Sequence, residues 1–403
     1  MEIFKNKDNL YCNQEMVIRM KVLLACSDGK INGASLCLAA LAERLIEENR
    51  CEILVSLPEY GEFEKVLKEK NIRYVVMRQY GWSFSVNERN DCIANCKRQV
   101  YFSLKTILNQ KNIVAFVKLL KTESIDLVVQ NSLTCYTPAA AANRIGIPYI
   151  WHMREFMEED LGFKFWNPFY VRKMLYQAKA LIAVSSAIRE YYDRYFDFSD
   201  RITVIYDGID QSEYMDCKDR TILVNDLVRM VYAGRFVRNK GCMELLEAVR
   251  RLRDSGFTEF QLDLYGNGEL EKEMKSFVKV QGLDSMCFFH PFVSDIASVW
   301  KNADIAFSCA YAEAFGRVTV EAMMSGSFVI GTKGGATPEL LKNGKYGAVV
   351  DLNSLDKAVE YVLNNKKIVQ NVAKSAQRYA LKEYTLDQTL KRTWSIYQKA
   401  MER

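Results

Sequence analysis

Residues 304–324 read DIAFSCAYAEAFGRVTVEAMM, and this stretch decides the fold. The run 304–308 is short and mostly apolar, which predicts a strand covered on both faces, and the spacing from Arg317 onward predicts a helix. The loop between them contains Glu313, and seven residues separate it from Glu321 in the predicted helix. A strand that leads through a loop into a helix is the unit of a parallel sheet, so the stretch predicts an α/β fold.

The same alternation continues on both sides of that stretch. Short apolar runs predict strands, and the amphipathic runs between them predict helices, among them 34–47, 62–70, 243–252 and 386–401. The predicted strands are 22–25, 52–56, 74–77, 125–129, 148–151, 180–184 and 202–205 in the first half, and 229–233, 261–265, 287–290, 304–308, 328–330 and 348–350 in the second.

We expect two doubly wound, Rossmann-like domains that face each other across a cleft, because ligands bind beyond the carboxyl ends of parallel strands. The polar segment 207–226 has the composition of a turn and linker between them. The expected divisions are a poorly ordered leader at 1–19, a first domain at 20–210, a second domain at 211–380, and a C-terminal helix at 381–403 for which a return to the first domain is one option.

The composition excludes several classes of protein. The 403 residues are too many for one small binding module, and 49% hydrophobic with 26% charged residues is ordinary for a globular chain. A net charge of +5 is too small to indicate a nucleic-acid-binding protein. Eleven cysteines without paired spacings and only two histidines argue against a disulfide framework or a His-rich metal centre.

The first twenty residues carry charges throughout, which argues against a signal peptide, and no run is apolar enough to span a bilayer. We therefore expect a cytoplasmic chain.

Two segments of the second half have the chemistry of an anion site. The loop 234–241, GRFVRNKG, follows a predicted strand, opens a helix, and carries three cations between glycines. Glu313 and Glu321 lie on either side of a predicted helix N-terminus, where carboxylates can grip hydroxyl groups while free N–H groups hold a phosphate. The alternatives are a solvated basic turn and acidic residues that only offset the helix dipole.

With these segments in view, the chain resembles the retaining glycosyltransferases of family 4, which have the GT-B fold. The resemblance depends on GRFVRNKG at 234–241, YGNGELE at 265–271, EAFGRVTVEAM at 313–323 and GGATPELLKNGKYGAVV at 334–350, in that order. It is strong over about 204–350 and weaker in the first half. It implies an acceptor-binding first domain and a second domain that binds a nucleotide-sugar donor.

The resemblance also implies roles for single residues. Arg235 and Lys240 contact the diphosphate, Glu321 binds the ribose hydroxyls, and Glu313 faces the sugar as a catalytic residue. His152, at the end of a first-domain strand, is placed near the reacting sugar, although a lone histidine is also a common core residue. His290 is treated as structural. The remaining expected donor contacts are Phe315, Gly316, Val318, Gly266 and, by a looser match, Gly33.

The sequence contains no Asp-x-Asp, the carboxylate pair that holds a divalent ion in metal-dependent glycosyltransferases. We therefore expect no metal and no cofactor, with positive charge from Arg235, Lys240 and helix N-termini. The resemblance further implies retention of the anomeric configuration.

The acceptor side is less defined by the sequence. Segment 97–121 carries six cations, no acid and an apolar stripe, which suits either a helix on an anionic membrane or a helix packed on its own sheet. The aromatic segment 163–176 suits either a cover for a lipid-linked acceptor or part of the hydrophobic core.

The expected activity is transfer of a hexose to a glycan or polyprenyl-linked acceptor in surface polysaccharide biosynthesis, with no nucleic-acid partner. The alternatives are a fold-related epimerase or phosphorylase, an oxidoreductase, which the single Gly-x-Gly at 266–268 supports poorly, and a non-catalytic nucleotide-sugar-binding protein.

Overall fold

The computed structural model describes residues 19–85, 92–198, 200–218, 220–293 and 295–402, with the backbone alone at 92–96. The leader predicted at 1–19 therefore lies outside the described residues, apart from Arg19.

The first half contains nine strands and six helices among its described residues. The strands are β1 (Lys21–Ala25), β2 (Glu52–Leu57), β3 (Tyr74–Val76), β4 (Ser83–Ser85), β5 (Leu127–Gln130), β6 (Tyr149–Met153), β7 (Phe163–Phe165), β8 (Ala180–Ala183) and β9 (Ile202–Val204). The helices are α1 (Gly33–Glu47), α2 (Phe63–Glu69), α3 (Cys92–Thr122), α4 (Thr137–Ile145), α5 (Pro168–Gln177) and α6 (Ser186–Phe196).

The second half repeats the alternation of strands and helices. Its strands are β10 (Val228–Ala233), β11 (Phe260–Tyr265), β12 (Cys287–His290), β13 (Ile305–Ser308), β14 (Phe328–Thr332) and β15 (Ala348–Val350). Its helices are α7 (Cys242–Asp254), α8 (Glu271–Val280), α9 (Ile296–Trp300), α10 (Arg317–Met324), α11 (Thr337–Leu340), α12 (Leu355–Asn364), α13 (Lys366–Glu383) and α14 (Leu386–Met401).

The strands form two parallel sheets, which confirms the predicted α/β class. The first sheet has the order β3-β2-β1-β5-β6-β8-β9, and the second has the order β12-β11-β10-β13-β14-β15. In each sheet the chain moves outward in one direction and then returns to the centre to build the other side. The order therefore reverses between β1 and β5 and between β10 and β13, and such switch points are where doubly wound folds bind ligands.

The first sheet differs from the sequence prediction in the bounds of its strands and in two strands that were not predicted. Strand β5 begins two residues later than predicted, because the Ile125 N–H still bonds to the Leu120 carbonyl at the end of α3. Strands β4 and β7 were not predicted; they pair antiparallel beside the main sheet, and three residues are too few to show an alternating pattern.

The C-terminal helix α14 packs on the first half of the molecule. Leu390, Tyr397 and Ala400 share a buried apolar cluster with Val22 and Leu24 of β1. A parallel bridge between Ile209 and Thr385 lies just before this helix. The end of the chain thus ties the second half to the first.

Candidate active site in the cleft between the sheets

A cavity of about 680 Å³ lies where the carboxyl ends of the two sheets face each other. Its walls come from the segments after β1, β5 and β6 and single residues after β8 and β9 in the first sheet, and from the ends of β10 and β13 and the segments after them in the second. Strands β1, β5, β10 and β13 lie on either side of the two switch points, so the cavity includes the places where the topology predicts a ligand.

Lys240 and Glu313 form the charged centre of this cavity. Lys240 Nζ lies 2.9 Å from Glu313 Oε2 and 3.8 Å from Asp160 Oδ1, which belongs to the first half. Burial works against the ammonium charge, but the two carboxylates outweigh it and raise the pKa of Lys240. Burial also raises the pKa of Asp160, against the opposing effect of Lys240. The centre is thus a cation held between an acid from each half of the molecule.

The backbone around Glu313 is fixed by glycines. A Cβ added to Gly335 (φ +64°) would lie 2.1 Å from the Glu313 carbonyl oxygen, so this turn tolerates no side chain. The Ala336 N–H donates to the same carbonyl at 2.7 Å. On the other side, Gly316 (φ +90°) ends the loop in the left-handed region and is the N-cap residue of α10. The loop is therefore held at both ends while the Glu313 side chain points to Lys240.

Glu321 lies one turn into α10, is only 4% exposed, and is not among the cavity-lining residues that the structure describes. Its Oε1 accepts a hydrogen bond from Arg317 Nη2 at 3.0 Å. The same guanidinium donates through Nη1 to Cys37 Sγ of α1 at 3.0 Å, across the cleft. Sequence reasoning placed Arg317 at the start of the helix but gave it no role.

Most of the other residues expected at the donor line the same cavity: Gly33, Arg235, Phe315, Gly316 and Val318. Gly33 begins α1 behind the Asn32 cap, whose side chain accepts from the Ser35 N–H. Gly266 is not among the lining residues of the described chain. A Cβ there would meet the Gly234 carbonyl oxygen at 2.0 Å, so Gly266 allows close packing behind the Arg235 loop.

His152 lies in β6, is 2% exposed, and is not among the cavity-lining residues that the structure describes. Its Nδ1 lies 3.3 Å from Arg154 Nη2, and burial together with that guanidinium lowers the histidine pKa, so the ring is neutral. Arg154 takes the cleft-facing position that was expected of His152. His290 bonds to Asp263 at 2.6 Å, away from the cavity.

Arg154 and the adjacent Glu155 are lining residues that the sequence analysis missed. Arg154 donates to Asn131 Oδ1 at 2.7 Å and to Asp207 Oδ2 at 2.5 Å, and both ion-pair partners are buried. Glu155 accepts from the Ser132 hydroxyl at 2.7 Å, yet its burial raises its pKa to about 6. The available signal was their position at the carboxyl end of a predicted parallel strand.

Among the residues that the structure describes, no group of three or more His, Cys, Asp and Glu side chains is arranged to hold a metal ion. None of the helices in that part of the chain combines the length and the apolar character needed to cross a membrane.

Two facing parallel sheets with a charged cavity at their switch points define the GT-B class of glycosyltransferase fold. Sequence profiles agree: the one described as glycosyl transferases group 1 matches residues 219–379, and the one described as glycosyltransferase family 4 matches residues 31–213. The chain belongs to the family 4 glycosyltransferases with the GT-B fold.

Curated relatives include an uncharacterized glycosyltransferase of Methanocaldococcus jannaschii, 25% identical over 56% of this chain and 62% of that protein. The D-inositol 3-phosphate glycosyltransferase of an Arthrobacter species is 30% identical over 30% of each chain. The chain thus spans less than two thirds of the length of these two relatives.

A longer match is to a Campylobacter jejuni protein, 23% identical over 89% of this chain and 93% of that one. It is named GalNAc-alpha-(1->4)-GalNAc-alpha-(1->3)-diNAcBac-PP-undecaprenol alpha-1,4-N-acetyl-D-galactosaminyltransferase. Among solved structures, Anabaena HepE in complex with UDP-glucose has a TM-score of 0.73 at 21% identity and covers 94% of this chain and 99% of its own. At that identity the likeness concerns the fold.

Proposed function

We propose that this protein transfers a hexose from a nucleotide-sugar donor to a glycan or polyprenyl-linked acceptor, with retention of configuration, without a metal ion, in surface polysaccharide biosynthesis. The observation that carries the proposal is the pairing of Lys240 with Glu313 inside a cavity that both sheets line. The named activity of the Campylobacter relative, which acts on an undecaprenol-linked glycan, supports the acceptor class.

The residues of the cavity, with Glu321 behind the lining residue Arg317, suit each part of such a donor. The N–H groups at the start of α10, with Arg235 and Lys240, meet the diphosphate, whose negative charge grows as it departs. Glu321 accepts hydrogen bonds from the ribose, and Glu313 from the sugar. Because these cations and N–H groups supply the positive charge, the chemistry requires no divalent ion.

In the proposed reaction the bond between the anomeric carbon and the diphosphate oxygen breaks. The acceptor oxygen forms its bond to that carbon on the same face, and its proton passes to the departing phosphate. No side chain of the protein becomes covalently attached. His152 remains a predicted neighbour of the reacting sugar, and its ring lies 3.3 Å from Arg154, which lines the cavity.

The outer face of α3 supports a membrane-bound acceptor. Phe102, Ile113, Phe116 and Leu120 are buried against the first half, which is the packed-helix alternative. The opposite face is nevertheless apolar and exposed, with cations among its residues. Its exposed apolar residues are Val100, Tyr101, Leu104, Ile107, Leu108 and Val114. Exposed apolar groups with cations and no acid suit the surface of an anionic bilayer, so we propose peripheral binding to the inner face of the cell membrane.

The aromatic segment after β7 is mainly core. Trp166 stacks on Phe102 with ring centroids 4.9 Å apart, and Tyr170 packs edge-on against Trp82. Phe169 and Tyr176 are the exceptions, with 86% and 63% of their surfaces exposed. A cover for a lipid-linked acceptor would therefore have to use these two residues rather than the whole segment.

Thermal unfolding with UDP-, GDP- and ADP-sugars tests the donor site first. A ligand at a hundredfold its dissociation constant adds about 2.7 kcal/mol of stability. The nucleotide sugars that carry the preferred base should therefore raise the unfolding temperature, and those with the other bases should not. The sugar that binds is then used in a transfer assay with polyprenyl-diphosphate-linked glycans, with and without EDTA, and NMR of the product gives its anomeric configuration. No shift with any nucleotide sugar would overturn the proposal, and loss of transfer in EDTA would overturn its metal-independent part.

A further inference from the structure

Arg317 occupies a position that helix stability does not explain. It is the first residue of α10, where the helix dipole disfavours a cation, and the first turn has no acid to compensate. Its partner Glu321 follows four residues later, which is the less favourable order for such a pair on a helix. A residue that opposes these local preferences calls for another reason.

The contacts of Arg317 join the two halves of the molecule beside the donor site. The guanidinium binds Glu321 at 3.0 Å on one side and the Cys37 thiol at 3.0 Å on the other. The stem packs over the start of α1, where a Cβ added to Gly33 would lie 3.3 Å from Arg317 Cδ. One side chain thus fills the space between the N-termini of α1 and α10.

The charges of the cavity follow a simple arrangement. The two glutamates assigned to the donor each have a cation beside them: Lys240 lies 2.9 Å from Glu313, and Arg317 lies 3.0 Å from Glu321. Glu313 and both cations line the cavity, whereas Glu321 lies behind Arg317 and is not among the described lining residues. A nucleoside diphosphate that binds between bare carboxylates is repelled by both, and a cation on each removes that repulsion. Since a thiol is a weak acceptor, the bond to Cys37 leaves the charge of Arg317 unneutralised on that side.

We propose that Arg317 is a positioning residue that orients Glu321 toward the donor ribose, offsets its charge against the diphosphate, and couples donor binding to closure of the cleft on α1. The inference rests on the proposed function, because it assumes a nucleotide donor. It adds a residue from outside the diphosphate loop and a link to the acceptor half.

Three variants test it by calorimetric titration with UDP, GDP and ADP. R317L should bind the preferred nucleotide about tenfold more weakly or worse, as expected for the loss of a charge-assisted contact, and R317K should recover part of the affinity. R250L is the matched control, because Arg250 forms an i,i+4 ion pair with Asp254 on the outer helix α7, and it should bind like the wild type. In transfer assays R317L should raise KM for the donor much more than it changes kcat.

Closure has a separate readout in the thiol of Cys37, which is 4% exposed. Bound nucleotide should slow maleimide labelling of the Cys37 peptide in the wild type. In R317L the nucleotide should leave the labelling rate unchanged. C37A identifies the signal, because it lacks the labelled thiol. If R317L does not fold, R317K and C37A serve for the titrations, and each should bind more weakly than R250L.

The outcomes separate the two proposals. If the wild type binds none of the three nucleotides, the proposed function fails and this inference fails with it. If the wild type binds but R317L and R317K bind within about twofold of R250L, Arg317 is only structural and the inference alone is overturned.

Discussion

The two halves of the molecule build their shares of the cleft in different ways. In the C-terminal half the charged groups stand on short loops at strand ends, and glycines such as Gly316 and Gly335 set the backbone that presents them. In the N-terminal half Arg154 and Glu155 are held by side-chain hydrogen bonds to residues from other strands and loops. One half positions its groups by backbone shape and the other by a buried polar network.

This difference has consequences for stability and activity. Groups presented by a rigid backbone can be removed with little effect on folding, because few other residues depend on them. Members of a buried network depend on each other, since removal of one leaves another without its partner. Variants in the first half should therefore show mainly as lost stability, and variants in the second as lost activity.

The largest effect should come from breaking the Arg154–Asp207 pair. Both side chains are buried, so Arg154→Leu leaves an unpaired carboxylate and should lower the free energy of unfolding by about 3–5 kcal/mol. Chemical denaturation at neutral pH measures this loss. The exposed pair Lys333–Asp351 is the control, and Lys333→Ala should cost about 1 kcal/mol or less.

The double variant Arg154→Leu, Asp207→Leu gives a sharper result. It removes both charges and should be more stable than the single Arg154→Leu variant. Equal or lower stability of the double variant would mean that the network is held by something other than this pair.

The next effect concerns the charged centre of the second half. Glu313→Gln and Lys240→Ala should each lower kcat/KM, and the decrease should correspond to a loss of about 2.7–4 kcal/mol of transition-state stabilisation. The free energy of unfolding should change much less than in Arg154→Leu. Arg238→Ala removes an exposed cation from the same loop, outside the cavity-lining set, and should leave turnover near normal. Near-normal turnover in Glu313→Gln and Lys240→Ala would remove both residues from the site.

The same difference explains how far the sequence could be interpreted. The second half could be interpreted because its functional residues lie in two short segments, 234–241 and 313–321, each of which follows a predicted strand. Glu313, Phe315, Gly316 and Val318 were expected at the donor, and all line the cavity. Asp207, in contrast, looked like a turn residue, because its partner lies 53 positions away in sequence.

Contacts between the halves were hidden for the same physical reason. Asp160 meets Lys240, and Cys37 meets Arg317, only after both sheets have formed and faced each other. Neither pairing has a local pattern of charge or spacing. His152 differs from these residues: it lies near the end of β6 as the sequence predicts, but its side chain is buried, and Arg154 is the residue of that segment that lines the cavity.

A moderate, pH-dependent effect should distinguish Glu155 within the first-half network. Its pKa is raised from 4.5 to about 6 because the carboxyl group is buried. The folded state therefore holds this proton more tightly than the unfolded state, so the contribution to stability falls as the pH rises from about 4.5 through 6 and stays low above that. The full difference is about 2 kcal/mol.

Glu155→Gln removes this titration. When the pH falls from 7 to 5, the wild type should gain stability relative to Glu155→Gln, which urea unfolding at the two pH values measures. Because all other titrating groups are shared, they cancel in the comparison. A constant difference between the two proteins would contradict the raised pKa of Glu155.

The smallest expected effect tests whether the two halves also differ on their outer surfaces. Lys111 lies on the exposed face of α3 near Val114, and Lys279 lies on the exposed face of α8 beside Val280 in the other half. A cation at an anionic membrane surface contributes about 1 kcal/mol, so Lys111→Gln should weaken binding to phosphatidylglycerol vesicles about fivefold at low salt. Lys279→Gln makes the same change in charge and should bind like the wild type, because Lys279 lies on α8 and we expect α3 to face the membrane.

Vesicle sedimentation measures the binding of both variants, which should fall at high salt and be weak on phosphatidylcholine. Equal weakening by the two variants would show attraction without orientation, and a wild type that ignores anionic vesicles would remove the membrane from the proposal while leaving the donor site intact.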